Sequence, residues 1–278
     1  MNIEEIIRQA LVEDLGNGDH TSLATIRAGA TGMSRLIIKE PGILAGVEIA
    51  RQVFLQVDPS IEFKTMIKDG SPVFPGDIAF YVSGSSRSLL SAERLALNFM
   101  QRMSGIATAT SHLVKLTEGT HAKILDTRKT TPLLRKIEKM AVRLGGGENH
   151  RMGLYDMIMI KDNHVDFAGG IKHAIDAVNN YLTSNSLNLK IEIEVRNFDE
   201  LQQVLDTGGI DRIMLDNFSV PDLSRAVKMI DGRYETEASG GINKENIRQY
   251  AETGVDYISV GALTHHITSL DMSLKAVI

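Results

Sequence analysis

Two rhythms of apolar and polar positions divide the chain near residue 120. Residues 2–15 (NIEEIIRQALVEDL) place apolar side chains at helical spacing, and a Gly-rich turn follows at 16–19. Short β-like runs come next, at 34–39 (SRLIIK), 43–46 (ILAG), 61–67 (IEFKTMI) and 77–82 (DIAFYV). They are separated by Pro41-Gly42, Asp69-Gly70 and Pro75-Gly76. From about Ser88 to Met103 the spacing predicts a helix whose stripe is Leu89, Leu90, Ala92, Leu95, Ala96, Phe99, Met100 and Met103. A second helix is expected after Gly105, running to Leu116.

From residue 122 the pattern becomes one of short apolar runs, each ending in a polar cluster and then a helical stretch. The runs are 122–126 (AKILD), 156–161 (DMIMIK), 190–195 (KIEIEV), 211–216 (DRIMLD), 234–239 (YETEAS) and 256–260 (DYISV). Their starts fall 34, 34, 21, 23 and 22 residues apart, the spacing of βα units that build a parallel sheet. Six such units either close into a barrel smaller than the usual eight-stranded one or lie in an open doubly wound sheet. In both, functional groups gather where the strands end.

Composition narrows the function. At 278 residues the chain suffices for one large domain or two modest ones. A formal net charge of −5 argues against a general binder of nucleic acid or anionic membranes. The absence of cysteine excludes disulfides, thiolate metal sites and cysteine nucleophiles, and fits a cytoplasmic protein. The first residues lack the basic-then-apolar layout of a signal peptide, and no apolar run reaches the ~18 residues of a membrane span. A small molecule or a second copy of the chain is the expected partner.

Against this acidic background the stretch from Asp126 to His164 holds eight Lys/Arg and five Asp/Glu. Arg128, Lys129, His150, Arg151 and Lys161 cluster near strand ends, where Arg forks and Lys charges suit a ligand with several negative groups. Arg135, Lys136, Lys139 and Arg143 instead follow a helix opening at Thr131-Pro132 and read as a solvated face. His150 and His164 fit a ligand role and a structural role equally. On the third strand Glu192, Glu194 and Arg196 share one face, because alternate strand residues point the same way.

Two Gly-rich turns close the last two units: Ser239-Gly240-Gly241 before NKENI, and Val260-Gly261-Ala262. Glycines between a strand and a helix start let backbone N–H groups approach a phosphate, although they also simply permit a tight turn. Glu194 and Asp216, at successive strand ends, suit a divalent cation, sugar hydroxyls or the pocket lysines. The Asp14–Asp19 turn lacks calcium-loop spacing, and no GxxxxGK[ST] loop is present, which disfavours a P-loop kinase. The residues thus describe a phosphate-bearing, further charged ligand and leave kinase-like, aldolase-like and transferase chemistry open.

The strings NFMQRMSGIATAT (98–110), DTRKTTP (126–132), GGGENHRMGLYDMIMIKDNHV (145–165), LDNF (215–218), EASGGI (237–242) and DYISVGALTH (256–265), with VEDLGNGDHT (12–21), together resemble the quinolinate phosphoribosyltransferase family over nearly the whole chain. The resemblance implies an amino-terminal α/β sandwich (1–115), an irregular parallel α/β barrel of about six strands carrying the active site (116–265), and a carboxy-terminal segment (266–278) packing back on the first domain. It also implies a homodimer or higher oligomer with shared sites. The implied reaction joins quinolinate to 5-phosphoribosyl-1-pyrophosphate, with Mg²⁺ and no organic cofactor, giving nicotinate mononucleotide, pyrophosphate and CO2.

Position by position, the resemblance assigns Arg128, His150 and Arg151, with Thr130, to the pyridine carboxylates. It assigns Lys129 and Lys161 to both substrates, and Arg94 to the neighbouring subunit's site. Glu194 and Asp216 fall near the ribose and Mg²⁺, bound directly or indirectly. His164, Ser239, Gly240, Gly241, Val260, Gly261 and Ala262 fall to phosphoribosyl pyrophosphate. The rivals are a phosphoribosyltransferase-like paralogue of molybdate-transport loci, a Schiff-base lyase using Lys161 or Lys129, and a non-catalytic phosphoribosyl sensor.

Overall fold

The computed structural model describes residues 2–277. In chain order the first elements are α1 (Ile3–Leu15), α2 (His20–Thr25), β1 (Thr31–Ile38), β2 (Gly42–Ile43), α3 (Val47–Val57), β3 (Glu62–Thr65), β4 (Pro72–Val73), β5 (Ile78–Ser85) and α4 (Ser86–Leu116). Then come β6 (Lys123–Leu125), α5 (Arg135–Leu144), β7 (Ile158–Ile160), α6 (Asp162–Ala168), α7 (Ile171–Ser184), β8 (Ile191–Val195), α8 (Phe198–Thr207), β9 (Arg212–Asp216) and α9 (Val220–Ile230). β10 (Glu235–Ser239), α10 (Ile247–Ala251), β11 (Tyr257–Ser259), α11 (Ala262–His265) and β12 (Met272–Ala276) complete the chain. Contacts group these into two units, one of residues 1–111, 130–146 and 263–278, the other of residues 112–129 and 147–262.

The first unit is built on an antiparallel sheet ordered β12-β1-β5-β3. Phe54 of α3 packs on this sheet beside Phe63 and Phe80, whose ring centroids lie 6.0 and 6.1 Å from its own. α4 is one helix of 31 residues, so the break expected at Gly105 does not occur. A Cβ at Gly105 would lie 2.3 Å from the carbonyl oxygen of Thr268, so the close approach of that segment explains a glycine in mid-helix. Such a residue costs about 1 kcal/mol relative to alanine in helix propensity, which the packing overrides.

On α5 the expected solvated face needs correction. Lys136 and Arg143 are exposed, Arg135 is half-buried, and Lys139 is fully buried with interactions inside the fold. The inward stripe of α5 takes Ile137, Glu138, Lys139, Ala141 and Val142, wider than an apolar count suggested. Buried Glu138 is neutralised by Arg102, whose Nε donates to Oε1 at 2.8 Å. Arg102 also donates from Nη2 to Thr131 Oγ1 and to the carbonyl of Thr264.

The second unit contains the six parallel strands in the order β6-β11-β10-β9-β8-β7. Joining the first strand to the last is the winding of a barrel, and among the described residues no reversal point of a doubly wound sheet is present. The ring of strands opens between β6 and β7. There Glu148 bridges to Leu125, taking the N–H of Asp126 on its carbonyl and giving its own N–H to Ile124. One face of β8 (Ile191, Ile193, Val195) is apolar and buried, while Glu192 and Glu194 point the other way.

Candidate active site

Asp126, the first residue after β6, is fully buried, and its Oδ1 accepts the N–H of His150 at 2.9 Å. With the N–H of Asp126 on the carbonyl of Glu148, this bond fastens the DTRKTTP and GENHR segments together. Arg128 and Lys129 stand exposed beyond it, and the N–H of Lys129 donates to Thr127 Oγ1. Thr130 belongs to the first unit, where its Oγ1 accepts from Arg135 Nε at 3.0 Å. Arg94 lies exposed on α4 in that unit as well.

Arg151 is half-buried, with Nη1 donating to the carbonyl of Met157 at 3.2 Å. Burial first, and then the neighbouring charge of Arg128, hold its guanidinium below the usual range. Two guanidiniums that oppose each other in this way form a receptor for anions, because a bound carboxylate relieves the repulsion while gaining charge-assisted hydrogen bonds.

Lys161 follows β7 and places Nζ 3.3 Å from Glu194 Oε2 at the end of β8. Its N–H donates to His164 Nδ1 at 2.9 Å, so His164 caps the start of α6. Burial pushes the Glu194 carboxyl up; Lys161 works against this and Asp216 adds to it. Glu194 is in register with Met214, which puts Asp216 one pleat further along the same face. Two oxygen donors from adjacent strand ends, beside a lysine and partly open to solvent, fit Mg²⁺, which keeps several waters and takes one or two protein carboxylates.

The end of β10 continues this surface. Ser239 is in register with Asp216 and accepts the N–H of Asn217 on its carbonyl at 2.8 Å. A Cβ at Gly240 would lie 2.2 Å from Asn217 Oδ1, and φ there is +98°, so only glycine fits. Gly241 faces open space. The helix expected directly after these glycines starts only at Ile247. Asn243 and Asn246 instead turn their side chains onto the local backbone, Asn246 Oδ1 taking the N–H of Asn243. At the end of β11, buried Val260 donates to the carbonyl of Leu125, and Gly261 and Ala262 lead directly into α11.

His150 is turned inward. Its side chain is 6% exposed, and Nε2 lies 3.0 Å from Glu192 Oε2 and 3.4 Å from Glu237 Oε2. Arg212 closes the cluster from β9, with Nη1 3.2 Å from Glu237 Oε2 and its guanidinium 4.0 Å from the Tyr257 ring centroid. Burial alone would lower the histidine, but hydrogen bonds with Glu192 and then Glu237 carry it up to about 9. Burial and the charge of Glu237 push Glu192 up to about 7. Burial acts to raise Glu237 too, but the bonds from His150 and Ser259 and the charge of Arg212 bring it down overall. His150 Nδ1 receives the N–H of Arg151 at 2.6 Å. One ligand atom from each of His150, Glu192 and Glu237 lies within 4.8 Å of the others, a donor set for a metal. Arg212 already supplies the cation there.

Arg128 and Arg151 thus meet electrostatically, Lys161, Glu194 and Asp216 form one group, and Asp216, Asn217, Ser239 and Gly240 form a packed turn. Arg212 and Glu237 are site residues that sequence reasoning missed, their signal being no more than a charge inside a short strand run.

The family description "Quinolinate phosphoribosyl transferase" matches this chain through its N-terminal domain at residues 19–104 and its C-terminal domain at residues 106–275. A tobacco (Nicotiana tabacum) protein named quinolinate phosphoribosyltransferase [decarboxylating] 2b, mitochondrial, is 45% identical over 290 residues, covering 99% of this chain and 82% of its own. A chloroplastic nicotinate-nucleotide pyrophosphorylase [carboxylating] of Arabidopsis thaliana is 45% identical with the same two coverages, 99% and 82%. Among solved structures, NadC of Streptococcus pyogenes superposes with a TM-score of 0.93 at 38% identity, over 99% of this chain and 97% of the other. The nicotinate-nucleotide pyrophosphorylase of Francisella tularensis also reaches 0.93, at 41% identity, over 99% and 96%.

Proposed function

Because the chain belongs to the quinolinate phosphoribosyltransferase family, we propose that it transfers phosphoribosyl from 5-phosphoribosyl-1-pyrophosphate to quinolinate, releasing pyrophosphate and CO2 and leaving nicotinate mononucleotide for NAD biosynthesis. The observation that carries this reading is the tie between the segments of Arg128 and Arg151, Asp126 accepting the N–H of His150 at 2.9 Å, which gathers cations beside one strand end as a dicarboxylate requires. The names of the relatives favour quinolinate over the molybdate-locus paralogue.

In this reading Arg128 and Arg151 hold the pyridine carboxylates, with Thr130 and Lys129 alongside, and His150 belongs to the same wall. The pyridine nitrogen attacks the anomeric carbon as pyrophosphate departs, through a state with positive charge on the ribose. Glu194 and Asp216 face that charge and favour it. Lys161, 3.3 Å from Glu194, is placed to neutralise the departing pyrophosphate. Ser239, Gly240 and Gly241, with Val260, Gly261 and Ala262, offer backbone to the 5′-phosphate, and His164 holds the start of the helix that follows Lys161. Glu194 and Asp216 would hold Mg²⁺, directly or through water, and the ion would supply charge neutralisation for the pyrophosphate. Once the nitrogen is quaternary, the bond to the adjacent carboxylate breaks, the electron pair stays on the ring carbon and is then protonated, and CO2 leaves. The protein's main contribution is to bring together two anions that repel in water.

We further assign residues 1–115 to dimerisation, with Arg94 of each protomer serving its partner's site, and residues 116–265 to catalysis. The segment after 265 completes the first unit through the β12–β1 pairing. The lack of cysteine suits a reducing compartment such as the cytoplasm. The deciding experiment supplies purified protein with Mg²⁺ and phosphoribosyl pyrophosphate and offers quinolinate or nicotinate. Nicotinate mononucleotide from quinolinate alone supports the reading. Equal product from nicotinate would show that the second carboxylate is not recognised, and no product from either would end the proposal.

A further inference from the structure

Arg102 of α4 and the fully buried Glu138 of α5 do more than neutralise each other. While Arg102 Nε donates to Glu138 Oε1, its Nη2 donates to Thr131 Oγ1 at 2.8 Å and to the Thr264 carbonyl at 3.0 Å. The other oxygen of Glu138, Oε2, accepts the N–H of Thr131 at 3.1 Å. Thr131 is thus held by backbone and by side chain. It stands two residues beyond Lys129, and Thr264 stands two beyond Ala262. One guanidinium therefore fixes the chain just after the cation segment and just after the second Gly-rich turn. The turn that follows Thr131 is strained. Leu134 closes it with an N–H on the Thr131 carbonyl at 3.1 Å, Pro132 and Leu133 form its corner, and φ at Leu133 is +68°. That conformation suits glycine, and the leucine is 75% exposed, so burial of its side chain does not explain it. A buried ion pair is weak evidence for stability, because apolar residues of similar volume generally serve as well. An apolar pair would lack the bonds to Thr131 and Thr264.

We propose that Arg102 and Glu138 are positioning residues for the transfer reaction, acting through Thr131 on the segment of Arg128 and Lys129 and through Thr264 on the segment of Gly261 and Ala262. The inference rests on the quinolinate reading above. Glu138 orients the guanidinium and takes the Thr131 amide, and the guanidinium, a planar fork with several donors, reaches both anchor points at once. The strain at Leu133 shows the turn held against its own backbone preference, and the bonds on Thr131 are what hold its first residue. Released, the turn relaxes, and the exposed Arg128 and Lys129, joined to it through Thr130, lose a fixed end. The two anchor points serve different substrates. The Thr131 arm bears on quinolinate, and the Thr264 arm bears on the phosphoribosyl substrate.

The test compares Thr131→Val, Arg102→Lys and Arg102→Met/Glu138→Leu with the wild type by thermal melts, quinolinate calorimetry and steady-state kinetics. Thr131→Val deletes one hydroxyl and leaves the ion pair and the Glu138–amide bond in place. It should raise the quinolinate Kd and KM by roughly 5- to 10-fold, the scale of one hydrogen bond, with KM for phosphoribosyl pyrophosphate changed less than twofold. The double variant removes both arms and should raise both KM values by roughly 10- to 100-fold, the scale of a displacement of about 1 Å, while melting within a few degrees of the wild type. Arg102→Lys keeps the charge without the fork and should fall between them. Should the double variant fail to fold, the two single variants decide. Melting temperatures that fall while both KM values stay within twofold would assign the pair to stability alone and overturn the proposal. Equal loss of both substrates in Thr131→Val would overturn it as well. If the wild type itself fails to bind quinolinate in the control titration, the functional reading falls first and the inference with it.

Discussion

Replacing Arg151 separates binding from folding more cleanly than any other change at this site. The guanidinium is half-buried, feels the charge of Arg128 with Glu192 and Asp156 acting against it, and donates to the carbonyl of Met157. In the free protein it therefore contributes little to stability. Arg151→Ala loses a hydrogen bond worth about 1 kcal/mol and removes a desolvated like charge, two terms of opposite sign. The expected net change in stability is below ~1 kcal/mol, or a few degrees in Tm for a chain of this size. Binding responds differently. Each charge-assisted bond from a guanidinium to a carboxylate is worth about 1.5–3 kcal/mol, so a two-pronged grip loses about 3–6 kcal/mol, roughly a 10²- to 10⁴-fold rise in Kd. Relief of the Arg128 repulsion on binding is lost as well, which pushes the same way. Arg151→Lys keeps a charge without the fork and should fall between the two. Calorimetry with quinolinate gives the affinities, and a thermal melt of the same samples gives the stability. A Kd within threefold of the wild type in Arg151→Ala, or an affinity loss accompanied by a comparable loss of folding, would refute this account of Arg151.

Other perturbations follow from particular contacts. Arg102→Ala strands the buried Glu138 carboxylate and should cost about 3–5 kcal/mol in a urea melt, with Arg102→Met/Glu138→Leu less damaged than the single; a single variant within 1 kcal/mol of wild type would contradict the buried pair. Gly240→Ala forces a Cβ against Asn217 at a φ of +98°, costing about 1–3 kcal/mol locally, and should raise KM for phosphoribosyl pyrophosphate about tenfold with quinolinate affinity nearly unchanged. The pH dependence of folding follows from the cluster around His150. His150 and Glu192 are both raised, to about 9 and about 7, so their stabilisation is complete below the unfolded values and is lost as pH climbs through those figures. One proton bound over that range is worth roughly 3 kcal/mol, and urea melts should weaken steadily between pH 6.5 and 9; a flat or rising curve would contradict the raised histidine.

The alternation of strand and helix after residue 122 was open to reading because each strand of the parallel sheet is short, apolar and followed at once by polar residues. Which way those strands wound was not, since a barrel and a doubly wound sheet use the same local pattern and differ only in which edges pair. Gly105 misled for a physical reason: intrinsic propensity marks a break of about 1 kcal/mol, and the contact with Thr268 that outweighs it lies far along the chain. Lys139 was read as solvated because a lysine on a helix usually is, yet the buried stripe of α5 spans consecutive charged positions.

The candidate site divides along the same line. Arg128, Arg151, Lys161, Glu194 and Asp216 follow or end strands, in short motifs where polar residues interrupt an apolar rhythm, so the chain announces them. Glu192, Arg212 and Glu237 sit inside strands, and what they do depends on register: Glu192 lies opposite Arg212, and Arg212 opposite Glu235 on the other side. No local pattern encodes that three strands will align those charges behind one imidazole.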